Sequence, residues 1–147
     1  MMAVTALLHP DRLDSAVDLL SAAAESLANA HWARTVHGRG AGTKLAVLRA
    51  GAAVLSVRGR SATSARSTGP LDVWRLLPRV APELTEWAEF FGAVFDEERG
   101  GPLSVREVDD LLRQGEEFVQ IVAGLLGLPP VPVAGELASL VAPGGHG

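Results

Sequence analysis

The stretch from Leu45 to Val57, LAVLRAGAAVLSV, is apolar around nearly its whole circumference when wound as a helix, and Arg49 is its single charge. A helix without a polar face must be surrounded by other apolar surfaces. The stretch is too short to cross a bilayer. Other segments of the chain must therefore wrap it.

Those segments show a helical rhythm. Leu13, Val17, Leu20, Ala24 and Leu27 recur at steps of three and four behind Pro10 and Asp11, a suitable N-cap. The spacing predicts a helix over 12–31. Further on, Val73, Leu76, Leu77, Val80, Leu84, Trp87, Phe91 and Phe95 keep the same rhythm. Pro78 and Pro82 cut that run, because proline lacks an amide hydrogen and clashes in a helix interior. A short helix over 71–79 and a longer one from Pro82 are expected. Ser104 and Glu107 form a capping-box pattern ahead of Val105, Val108, Leu112, Val119, Val122 and Leu126. That predicts a last helix ending near Gly127.

The remaining segments read as connections. HGRGAGT at 37–43 packs three glycines into five positions, a chain-break composition. Thr43 would then cap a central helix over 44–60. GRSATSARSTGP at 59–70 reads as a long loop. Residues 1–10 read as an arm, 11–127 as the domain, and 128–147, with four prolines and four glycines, as a flexible tail holding one weak helical turn at 135–141. The 23 alanines favour helix, and no alternating strand pattern competes. The expected fold is all-α: an antiparallel four-helix bundle with an extra short helix before the third long one.

Composition narrows the chemistry. The absence of cysteine excludes disulfides, thiol catalysis and thiolate metal sites. Twelve of the thirteen basic residues are arginine, which together with abundant Ala, Gly and Pro suggests a high-GC bacterial genome such as an actinobacterial one. No basic leader and no uninterrupted apolar run of spanning length is visible, so a cytoplasmic protein without membrane attachment is expected.

The net charge of −4 conceals a division. Residues 34–79 hold nine basic side chains against Asp72 alone, whereas 80–117 hold eleven acids against Arg99, Arg106 and Arg113. Neighbouring helices of opposite sign can pair along their flanks. A basic surface for an anionic partner is the other reading, with Arg58, Arg60 and Arg66 in the Ser-rich loop as its candidates. No aromatic residues interleave these loop arginines, which argues against nucleic acid there.

Arg49 stands out within the apolar helix. A buried guanidinium needs a carboxylate or an exit to solvent. Glu83, Glu86, Asp109 and Asp110, on the acidic helices, are its expected ion-pair partners. An anion or nucleotide phosphate held at Arg49 is the functional alternative. HGRGAGTK resembles a phosphate loop but lacks the G-x-x-x-x-G-K-[ST] order and a preceding strand. His31 and His37 could serve as a general base or metal ligands, yet their spacing matches no known site. Asp96, Glu97 and Glu98, like Asp109 and Asp110, read as solvated acids rather than a metal site. No cofactor or metal is expected. Trp74, Trp87, Phe90, Phe91 and Phe95 read as core, with Phe90 off the main stripe and free to make a dimer contact.

LAVLRAGAAVL, the arginine-rich loop, VAPELTEWAEFF and REVDDLLRQGEEF, taken in that order, resemble an actinobacterial branch of the HEPN (higher eukaryotes and prokaryotes nucleotide-binding) superfamily. The resemblance covers about residues 12–127. It implies a four-helix bundle, often dimeric. It also implies one of two activities, RNA cleavage or non-catalytic binding of nucleotides or proteins. Ribonuclease members share an arginine and a following histidine with four to six residues between them. This chain departs from that pattern, since only two residues separate Arg34 from His37. The expected function is therefore a non-catalytic helical binding module, a homodimer engaging a protein or an anionic or nucleotide ligand. A divergent ribonuclease, or a nucleic-acid-binding protein acting through the basic loop, is the alternative.

Overall fold

Thr35, not Thr43, opens the central helix. A computed structural model describes residues 10–59, 70–96 and 101–132. Among the described residues five helices follow in order: α1 (Pro10–Trp32), α2 (Val36–Arg58), α3 (Pro70–Val80), α4 (Thr85–Val94) and α5 (Val105–Leu125). A 3-10 turn, Pro82–Leu84, leads into α4. Among the described residues there is no strand. The all-α bundle and its extra short helix are as expected. The predicted turn at 135–141 and the arm at 1–9 lie outside the described residues.

The expected connection at 37–43 is helix. Thr35 sits in extended backbone and its Oγ1 accepts from the Gly38 amide at 2.9 Å, which caps α2 eight residues earlier than Thr43 would. Thr43 is instead fully buried inside α2, and its hydroxyl donates to the Arg39 carbonyl at 2.9 Å. Gly42 serves contact rather than chain reversal. A Cβ on Gly42 would stand 2.8 Å from the Ala30 Cβ and 3.1 Å from its Cα. Only a residue without a side chain lets α1 come that close.

α2 is the central element, packed by α1, α3 and α5. α1 runs antiparallel to it, with Ala30 facing Gly42 and Ser26 facing Arg49. α5 runs in the same sense as α2, with Val108 near Gly40 and Gly115 against Thr43 and Val47. α3 meets α2 at Gly51, where an added Cβ would lie 2.7 Å from Val73 Cγ1. Each neighbour of α2 is thus met at a glycine. The α1–α2 seam is mostly alanine: Ala16, Ala23, Ala30, Ala46, Ala50 and Ala53 are all buried.

The other half of the core is aromatic. Phe91 is fully buried, with ring centroids of Trp74 at 5.3 Å, Trp87 at 5.7 Å, Phe95 at 6.0 Å and Phe118 at 5.2 Å. Phe90 packs edge-on against Phe91 at 5.1 Å and is half-buried. These separations suit attractive ring pairs, each worth about 0.5–1.5 kcal/mol beyond area burial. Two positions depart from the expected stripes. Val17 and Val105 are exposed, by 43% and 61%, while Phe118 is buried. The inward face of α5 holds Val108, Leu112, Val119 and Val122 of the expected stripe and is widened by Leu111, Gly115 and Phe118.

α5 ends as its sequence dictates. Gly127 has φ +71°, the Leu128 amide bonds the Ala123 carbonyl at 2.9 Å, and the Gly127 amide bonds Gly124 at 3.1 Å. This is a Schellman closure, and glycine takes its left-handed position without strain. The chain does not then drift away, as a tail from 128 would. The Gln120 side chain accepts from the Val131 amide at 3.0 Å and donates to the Val131 carbonyl. Val131 is buried against the core as a result.

Candidate functional site

Arg49 does not meet the carboxylates expected for it. Its Nη1 donates to the Ser26 hydroxyl at 2.8 Å and to the Ala22 carbonyl at 3.2 Å. It lies half-buried on the face of α2 that meets α1. The acids belong to helices packed on other faces. Glu83 takes Arg58, Asp109 takes Arg39, Asp110 takes Arg113, and Glu86 is exposed on α4. Arg49 therefore staples α2 to α1 and supplies a partner for the buried Ser26.

Arg58 is committed to the fold as well. Its Nη1 reaches Glu83 Oε2 at 3.0 Å and the Val80 carbonyl at 3.2 Å, which ties the end of α2 to the turn before α4. The Glu83 carboxyl is held below its ordinary range, first by its backbone hydrogen bond and then by Arg58. A lowered carboxyl favours the folded state above its unfolded value and loses that contribution as pH falls through the folded one. Arg60, Arg66, Glu97 and Glu98 lie outside the described residues. The phosphate-loop-like HGRGAGTK is a run of α2, with no loop to cradle an anion.

Three helices converge on an open cleft of about 270 Å³ lined by His31, Arg39, Asp109, Leu112, Arg113 and Glu116. α1 contributes His31 from its last turn and α2 contributes Arg39 from its first. α5 contributes positions 109, 112, 113 and 116, which share one helix face. Arg39 is the keystone: Nη1 donates to Asp109 at 2.5 Å and Nε to the Ala33 carbonyl at 3.3 Å. Arg113 pairs with Asp110 one turn back on the same helix. The sequence reading singled out His31 and Asp109 but missed Arg39, Arg113 and Glu116. Arg39 was hidden in glycines read as a connection. The i, i+3, i+4, i+7 spacing of the α5 residues was the available signal. His37 is exposed on the first turn of α2 and does not line the cleft.

Among the described residues, no group of three or more His, Asp or Glu could hold a metal ion. α2 is long and apolar enough to cross a membrane by length and composition alone, and half of its apolar window is buried in the bundle.

An all-helical bundle wrapped around one apolar helix, with LAVLRAGAAVL in that helix, is consistent with a HEPN-like fold. A family model described as SAV_6107-like HEPN matches residues 30–123, from the end of α1 into the last turns of α5. The chain belongs to that family. No curated protein and no solved structure matches it.

Proposed function

We propose that this protein is a non-catalytic helical binding module. The observation that carries this reading is the neutralised cleft. The cleft where a histidine, arginines and carboxylates gather has Arg39 bound to Asp109, and Arg113 bound to Asp110. Charges already engaged with one another within the fold are poorly placed to move protons or stabilise a developing anion. The arginine–histidine spacing of ribonuclease relatives is also missing.

One observation favours the alternative, a divergent ribonuclease: the cleft does join His31 to two guanidinium groups. A metal-independent RNA cleavage assay separates the two readings. The expected result is no cleavage by the wild-type chain. Sustained cleavage that disappears in His31→Ala or His37→Ala would overturn the proposal.

The module works as a homodimer in this reading. Ala41, Leu45, Leu48 and Ala52 recur at steps of four, three and four along α2 and are not buried, with Leu45 44% exposed. That is the seam spacing by which helices of two copies interlock. Light scattering should give the mass of two chains for the wild type and of one for Leu45→Glu. A wild-type monomer would remove this part.

A further inference from the structure

Charge and greasy surface left over after internal pairing gather at one end of the bundle. The turn HWARTVHGR, residues 31–39, carries two histidines, two arginines and a tryptophan, and no acid. Trp32 is 59% exposed, an unusual position for the largest apolar side chain. The His31 ring stands edge-on to it at 5.9 Å and props it. Arg39 reaches Ala33 and Asp109, so the first turn of α5 lies at this same end. That turn shows the exposed Val105 and the exposed Arg106.

The ion pairs at this end decide its net character. Asp109 is taken by Arg39, Asp110 by Arg113, and Glu107 by the Ser104 amide at 2.8 Å. Glu116 also has a partner. Among the described residues, Arg34, His37 and Arg106 are exposed and have no hydrogen-bond or ion-pair partner. The two arginines that remain carry charge with no carboxylate partner, and they lie beside two exposed apolar groups.

We propose that this end, formed by Trp32, Arg34, His37, Val105 and Arg106, docks an acidic polypeptide segment that also carries apolar side chains. The inference names the partner class for the binding-module reading and rests on it. Tryptophan and arginine are the residues that most often dominate protein interfaces, because each buries much area and fixes a partner's geometry. Free cations around the indole select carboxylates and speed encounter. A nucleic-acid strand fits less well. Trp32 offers one stacking face where a strand needs a succession of them, and Val105 would contribute nothing. A peptide can use the indole, the valine and both arginines together.

The test is fluorescence anisotropy with a labelled synthetic peptide alternating glutamate and leucine. A lysine–leucine peptide and oligothymidylate serve as comparison arms. Only the acidic peptide should bind, more weakly as salt rises. Trp32→Ala and Arg34→Glu should each weaken it about tenfold or more. Both side chains are exposed, so circular dichroism and melting should stay as in the wild type. Arg106→Glu, on a different helix, should repeat the loss. Absent binding, equal binding of the lysine peptide, tighter binding of oligothymidylate, or unchanged affinity in all three variants would each overturn the proposal. RNA cleavage would sink the non-catalytic reading and leave peptide binding to be measured on its own. A lack of peptide binding without cleavage sinks only this surface.

Discussion

The α1–α2 seam and the aromatic nest of α3, α4 and α5 are held together by opposite means. The seam joins two long helices through alanine and glycine, so its stabilisation comes from how closely two backbones approach. The nest joins shorter helices through rings around Phe91, so its stabilisation comes from the area each side chain removes from water. The two regions should therefore fail differently. The nest is weakened by taking atoms away and the seam by adding them.

Phe91→Ala should have the largest effect, a loss of about 3–5 kcal/mol in urea unfolding, because it empties the centre of the nest. A loss under about 1 kcal/mol would mean the rings contribute little beyond filling space. Gly42→Leu comes next, at about 1–3 kcal/mol, since its first carbon already collides with the Ala30 backbone. A neutral result would show that the helices separate freely there. Gly124→Ala sharpens the contrast at the small end. Nothing lies within 4 Å of the added carbon. The helix should then gain about 0.5–1 kcal/mol from propensity alone. Destabilisation at this site would show that crowding at Gly42 is not what makes the seam sensitive.

How far the sequence reveals this molecule depends on which region is read. The helical rhythm of Leu20, Leu27, Val73, Leu77 and Phe91 gives the bundle directly, because burial of large side chains leaves a periodic trace. Pro82 likewise marks the break between α3 and α4, whereas Pro78, expected to interrupt the run, sits inside α3. Gly38, Gly40 and Gly42 mislead. Glycine signals a chain break by its backbone freedom, but here all three are helical, and at Gly42 it is the lack of a side chain that matters, which only the neighbouring helix shows. Arg49 misleads for a related reason. A lone charge among apolar residues implies a partner without naming it, and a serine with a backbone carbonyl satisfies it as well as a carboxylate. The cleft was half visible. Asp109 was legible as one of a charged pair, whereas its tie to Arg39 crosses two helices far apart in the chain.

The clasp at Val131 has one more consequence. Gln120 hydrogen-bonds only the main chain of Val131, so the clasp depends on an amide hydrogen there and not on a particular side chain. Three of the five residues from Leu128 to Pro132 are proline, which has none. In a segment so tolerant of imino acids, position 131 is the one where an imino acid would unlatch the chain.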